Sequence, residues 1–242
     1  MDMLMNTPKG APVQTNPFFC LLQLSDPLLP IGSFTQSFGL ETYVQKGIVH
    51  DAASARRYLE SYLRNSFLHN DLLAVKLAWE HAGRANLDGI GGLEAIIGAS
   101  KTPREIRAAS AKLGARLLRI VEPVLKEHAF FKAYLQKVKS GQCAGHYSVV
   151  YGLAARLMEA EKTLALSAVC YNTAAQIVNN CAKLVPISQQ AGQQILFGAH
   201  TVFRQVVEQA EALDESSLGI SFAGFDLRSM QHERLYTRLY IS

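Results

Sequence analysis

Apolar residues recur along most of this chain at the three- and four-residue spacing of a helix buried on one side. Positions 55, 58, 59, 62, 63 and 67 form one such set, with Arg56, Arg57, Glu60 and Arg64 on the remaining face. Asp51 stands where it can cap that helix. A second run covers Leu72 to His81, and Gly83, Gly89, Gly91 and Gly92 predict a loop before a short helix over 93–100. Thr102-Pro103-Arg104-Glu105 reads as a helix start, with threonine as cap, proline in the first turn and glutamate three residues on. The helix it opens carries Ile106, Ala109, Leu113, Leu117 and Ile120 on one stripe, and Arg104, Arg107, Lys112, Arg116 and Arg119 opposite. At about 100° per residue those five apolar positions span roughly 80°. Pro123 is expected to interrupt it, with a new helix running to about Lys139. Three further helical runs cover 146–160, 163–184 and 188–212, the last with Ser188 as cap, and a final short helix spans Asp226 to Tyr236.

Nearer the start, Phe18 to Leu24 is a short apolar segment. Ser33 and Gln36 fit a capping box, which predicts a helix from Ser33 to about Lys46, stopped by Gly47. No segment sustains the period-two alternation of a strand. The expectation is all-α: a single globular, bundle-like domain of roughly ten helices over 18–242, behind a disordered leader over 1–17.

Composition narrows the function classes. Hydrophobic residues make up 49% of the 242 and charged residues 18%, enough to build a core without disulfide or metal staples. The net charge of +4 comes with no long basic run, which argues against nucleic acid as a partner. Cys20, Cys143, Cys170 and Cys181 show no CxxC spacing and read as reduced cytoplasmic thiols. Thr163 to Ala182 lacks charge, but Asn172, Gln176, Asn179 and Asn180 make it a core helix, not a membrane span.

Candidate chemistry is sparse. The chain has no GxxxxGK[ST] phosphate loop, no GxGxxG, no GxSxG and no HExxH. Cys143 and His146 supply only two metal ligands where a stable site has four. Asp214 beside Glu215, and Glu208 with Glu211, read as solvated acids, not a catalytic pair. No metal ligand, cofactor or catalytic residue is assigned.

Two segments do not fit that account. Pro30 to Glu41 places Phe34 and Phe38 around a helix start. Met230 to Ser242 ends the chain on Leu235, Tyr236, Leu239, Tyr240 and Ile241, with Arg234 and Arg238 among them, where chain ends ordinarily turn polar. Tyrosine and arginine are enriched at protein–protein hot spots. Either the tail meets a partner or it docks on its own core.

These two segments carry a resemblance. Leu24-Ser25-Asp26-Pro27-Leu28-Leu29-Pro30-Ile31-Gly32-Ser33-Phe34-Thr35-Gln36-Ser37-Phe38-Gly39-Leu40-Glu41 is similar to the D-x-x-x-P-x-G-[SA]-[FY]-x-x-S-x-G-[LF]-E signature of the urease accessory protein F family (UreF). Met230-Gln231-His232-Glu233 and Tyr236-Thr237-Arg238-Leu239-Tyr240 resemble that family's M-x-H-E and Y-[ST]-R-L-[FY] ending, and Val185-Pro186-Ile187-Ser188-Gln189 and Leu213-Asp214-Glu215 fit in order between them. The resemblance implies an all-α, dimerising, non-enzymatic chaperone of urease maturation in the cytoplasm. Such a protein bridges the nickel-carrying GTPase UreG and the UreD/UreH accessory protein so that nickel is inserted into apo-urease. By the same resemblance Phe34, His232, Tyr236, Arg238, Leu239 and Tyr240 are partner-binding. Some members carry a histidine–cysteine pair near the segment that here reads Ser216-Ser217-Leu218-Gly219, so no metal role is carried over. The alternatives are a regulator that activates the GTPase with Arg238 as an arginine finger, and an unrelated helical enzyme with a buried pocket.

Overall fold

The computed structural model describes residues 16–241. The expected leader lies outside the described residues except for its last two positions, where the Asn16 side chain caps the first helix. Twelve α-helices follow: α1 Pro17–Leu24, α2 Leu40–Gln45, α3 Ala52–Tyr62, α4 Leu73–Gly83, α5 Leu87–Ser100, α6 Arg104–Leu125, α7 Ala129–Lys139, α8 Tyr147–Leu157, α9 Lys162–Leu184, α10 Gln189–Gly198, α11 His200–Ala212 and α12 Ala223–His232. No strand occurs among the described residues, and the all-α expectation holds.

The centre is α4 packed on α8, with α6 against the other side of α8. Every residue of α8 from Ser148 to Ala155 is buried, so this helix is apolar all round as a central helix must be. Gly152 is what lets the two backbones meet, since an added Cβ would collide with the Val75 carbonyl oxygen of α4. Around this centre α9 packs on α10, α11, α2 and α3, and α12 lies against α2 and α6. Buried Glu94 of α5 pins the turn before α8, accepting from the Tyr134 hydroxyl at 2.6 Å and from the Gly145 and His146 amides at 3.0 and 3.1 Å. The uncharged stretch over 163–182 forms most of α9, and no helix among the described residues is long and apolar enough to cross a membrane.

Several boundaries differ from the sequence expectation, each for a physical reason. The helix at 52–62 does not end before the one at 73–83: a π-helical segment, Leu63–Leu72, joins them. Within it the Asn65, His69 and Asn70 side chains bond the carbonyls of Ser61, Asn65 and Ser66, four residues back. They compete for acceptors the α-helix uses, and the backbone slips to longer bonds such as Leu73 N–H to Leu68 O. The glycine loop at 83–92 is mostly helix instead, because Asn86 caps α5 at Gly89 and Ile90, Leu93 and Ile97 are fully buried. Pro123 does not stop α6: it is exposed near the helix end, while Val121 and Leu125 on either side are buried. The run 188–212 divides at Ala199, whose N–H is shared between the Ile195 and Leu196 carbonyls as at a helix end. Asp51 and Ser188 cap as expected. On α6 the stripe shifts, with Ser110, Gly114, Leu118 and Val121 joining the core while Ile106 and Ile120 stay half-buried.

Candidate functional site

The helix expected from Ser33 does not form. A single 3-10 turn, Ser33–Thr35, is followed by extended backbone at Gln36 and left-handed backbone at Phe38 and Gly39, and α2 begins only at Leu40. Neighbours pull the chain out of helical shape: Arg116 of α6 donates to the Ile31 carbonyl at 2.8 Å, and Asn180 of α9 to the Gln36 carbonyl at 2.8 Å. Gly39 is required here, since its φ is +83° and the Ser229 backbone lies directly behind it. The turn leaves Phe34 pointing outward, 61% exposed.

The last residues return to this turn. After α12 the chain lies across α2 and α6, and the Ile241 amide donates to the Thr35 carbonyl at 2.9 Å. The two segments singled out in the sequence are therefore neighbours. What binds them is a network around Glu41, in the first turn of α2, and Glu105, in the first turn of α6. Glu41 is buried and accepts from the Leu239 amide at 2.7 Å and the Tyr240 amide at 3.2 Å. His232 is 0% exposed, with Nε2 3.1 Å from Glu41 Oε2 and Nδ1 2.7 Å from Glu105 Oε2. The Arg238 guanidinium takes the other Glu105 oxygen at 2.8 Å. At the rim Arg104 meets Glu233 at 2.8 Å, and Gln45 donates to the Thr237 carbonyl at 2.8 Å. Both glutamates sit where a helix N-terminus favours negative charge.

The six sequence-predicted residues divide by position. His232 and Tyr240 are buried. Burial first, then the Glu41 charge, pushes the Tyr240 phenol up to about 12, and its hydroxyl has no hydrogen-bond partner among the described residues. Arg238 is exposed, with its guanidinium bonded to Glu105. Phe34, Tyr236 and Leu239 are exposed, with Tyr236 fully in solvent and Leu239 at 64%, and Ile241 joins them at 60%. The result is an apolar outer edge over a charged, buried root. Sequence reasoning passed over the two residues on which the network hangs. Glu105 read only as the glutamate of a helix start and Glu41 only as the last position of the family signature, and their pairing with the distant His232 is what sets them apart.

Elsewhere the candidate chemistry resolves into packing. Cys143 and His146 are both buried, and His146 Nδ1 lies 3.2 Å from Ser110 Oγ. A serine beside a histidine suggests a nucleophile and its base. Burial, aided by Lys101 and opposed by Asp71, pushes this imidazole down to about 4. Ser110 lines an interior cavity of about 90 Å³ whose wall also holds Asp71 and Lys101, bonded to each other at 2.8 Å. Glu211 accepts from the Thr163 hydroxyl at 2.6 Å, Glu208 faces Arg204, and Asp214 caps the turn at Glu215–Ser217. No three His, Cys, Asp or Glu side chains among the described residues converge to hold a metal ion.

Comparison with known proteins identifies the family. The family model described as UreF matches residues 49–200. The urease accessory protein UreF of Actinobacillus pleuropneumoniae is 41% identical over 222 residues, covering 92% of this chain and 97% of the relative. That of Haemophilus influenzae (strain PittGG) is 39% identical over 92% of this chain and 94% of its own length, and that of Arthrobacter sp. (strain FB24) 32% identical over 92% and 96%. The relatives extend the likeness well beyond the segment matched by the family model, across most of the chain. This chain belongs to the UreF family of urease accessory proteins.

Proposed function

We propose that the chain is a non-catalytic chaperone scaffold in urease maturation. It bridges a UreG-type GTPase and a UreD/UreH-type accessory protein, as a homodimer in the cytoplasm, so that nickel is inserted into apo-urease. One observation carries this reading: Phe34, Tyr236, Leu239 and Ile241 form an exposed apolar edge rooted in a buried ionic network. Ordered aromatic and aliphatic side chains at a chain end cost solvent exposure without serving the core, and a pre-organised edge of this kind binds with little further ordering. In this reading Phe34, Tyr236, Leu239 and Arg238 touch the UreD/UreH-type partner. His232 and Tyr240 hold them in place from inside.

The rival reading makes Arg238 an arginine finger for the GTPase. Its guanidinium is already engaged by Glu105, an arrangement that favours tail anchoring over service in trans. Co-purification with the D/H-type partner and the GTPase separates the two. The double substitution Tyr236→Ala, Leu239→Ala is expected to lose the accessory partner while its circular dichroism stays that of wild type. Full retention of the partner by this variant would sink the scaffold surface. Arg238→Ala that keeps the complex but lowers GTP turnover by about 10³ or more would establish the finger instead.

A further inference from the structure

The Ser148 hydroxyl, in the first turn of α8, is buried and has no hydrogen-bond partner among the described residues. A buried polar group left alone costs free energy, and native proteins keep few of them. This one lines the interior cavity of about 90 Å³. A single water needs only roughly 10–15 Å³ of such space, and an apolar cavity of about 150 Å³ receives benzene. By that scale the cavity has room for one molecule of about four non-hydrogen atoms.

The wall mixes two kinds of surface. Phe67, Val75, Leu113, Val169 and Ile177 supply apolar area. The charged part is the ion pair of Asp71 and Lys101, whose side chain is only 7% exposed. An ammonium has three N–H groups to give, and among the described residues Lys101 gives one, to Asp71 Oδ1 at 2.8 Å. The other Asp71 oxygen, Oδ2, has no bonded donor among the described residues. Donor and acceptor capacity thus stand unused side by side. Asp226, also on the wall, is taken by the exposed Ser221 hydroxyl at 2.6 Å. Burial above all holds the Tyr62 and Tyr147 phenols above their ordinary range, so neither adds a charge. Ser66, Phe67, Asn70 and Asp71 all come from the π-helical segment, a distortion that concentrates at functional sites. Phe225 borders both this cavity and an open groove of about 450 Å³ beside Tyr43, Ile48 and Arg57, which is the short way in.

We propose that this cavity is a binding site for a small neutral molecule bearing a primary amide. The amide carbonyl accepts from Lys101, the amide N–H donates to Asp71, and the guest supplies the partner that the Ser148 hydroxyl lacks. A carboxylate guest would meet Lys101 but repel Asp71, and an ammonium guest the reverse. A neutral amide carries both an acceptor and a donor on adjacent atoms and leaves the ion pair balanced. The apolar part of the wall takes the rest of a short substituent. The site goes beyond the scaffold reading above and does not rest on it.

The test titrates the full chain, isotopically labelled and without partners, with acetamide. Nuclear magnetic resonance reads the backbone amides of Asp71, Lys101 and Ser148, and contacts from the acetamide methyl to the Val75 and Val169 methyls. Saturable shifts with those contacts are expected, at a Kd in the millimolar range or tighter. Acetate and methylammonium, each matching one half of the ion pair, should give no saturable shift there at the same concentrations. Ser148→Ala removes a hydroxyl that has no partner to lose, so it should fold as wild type and bind acetamide several-fold more weakly. Replacing the pair whole, Asp71→Leu with Lys101→Met, leaves no lone buried charge and should abolish the response with the circular dichroism retained. Shifts that never saturate, a missing methyl contact, an equal response to acetate, or undiminished affinity in either variant would overturn the site and leave a pocket of buried water. Because no partner is present, failure of the scaffold reading would leave these signals untouched.

Discussion

Burial, reinforced by the Lys101 ammonium, opposed by Asp71 and aided by Arg107, pushes the His146 imidazole down to about 4 from an ordinary 6.5. The folded chain keeps this ring neutral where the unfolded chain would protonate it. The stability it contributes is complete above pH 6.5 and is lost as pH falls through the folded value. Wild-type protein should lose up to about 1.4 kcal/mol per pH unit from this group across that interval. Replacing it, as in His146→Gln, should flatten that part of the profile, whatever its cost at neutral pH. Urea midpoints taken at neutral pH and near the lower limit of the window check this; parallel slopes in the two proteins would refute it. His146 and His232 show the same residue type doing opposite work, one held neutral against a serine and one facing two carboxylates.

Among the elements, α3, the π-helical segment and α4 form one continuous helix whose start is defined by a reciprocal cap. The Asp51 carboxylate accepts from the Ser54 amide at 2.7 Å, and the Ser54 hydroxyl bonds back to the Asp51 amide at 3.0 Å. Asp51→Ala should lower the urea midpoint with an unchanged slope. Ser54→Ala keeps the bond from its own amide to the carboxylate but removes the hydroxyl that accepts from the His50 and Asp51 amides, and should lower the midpoint as well. The cap was legible because its signal is local. The π-helical segment was not, because it depends on three side chains reclaiming carbonyls four residues behind them, and apolar spacing carries no trace of that. The same limit explains the turn at Ser33–Thr35: the local pattern asked for a helix, and Arg116 and Asn180, donors from α6 and α9, decided otherwise.

In the whole molecule the packing of α4 on α8 sets how much variation the core accepts. Gly152→Ala should drive a methyl group into the Val75 carbonyl and cost about 1–3 kcal/mol or more, measured as a drop in thermal or urea stability with the helical content of the folded state retained. Helical spacing made the all-α class and most helices readable, because each amphipathic stripe announces itself within a few turns. Phe34 near the start and Tyr236 and Leu239 near the end came instead from apolar residues in two unusual segments and from the family resemblance, and the structure places them at one exposed edge. What no sequence pattern supplied was their meeting. That depends on Glu41 and Glu105 finding His232 and Arg238 across the fold, and a lone first-turn glutamate looks the same whether it faces water or a buried histidine.

The bond from the Leu239 amide to Glu41 spans 198 positions along the chain. During synthesis, residue 41 leaves the ribosome long before residue 239 exists. For most of the chain's making, the Glu41 carboxylate has none of the donors that later surround it, and its burial would be costly. The start of α2 and the turn beside it must therefore stay hydrated until the tail arrives. Closure of this corner is then a late event in the birth of the molecule, set by the distance along the chain between Glu41 and Leu239.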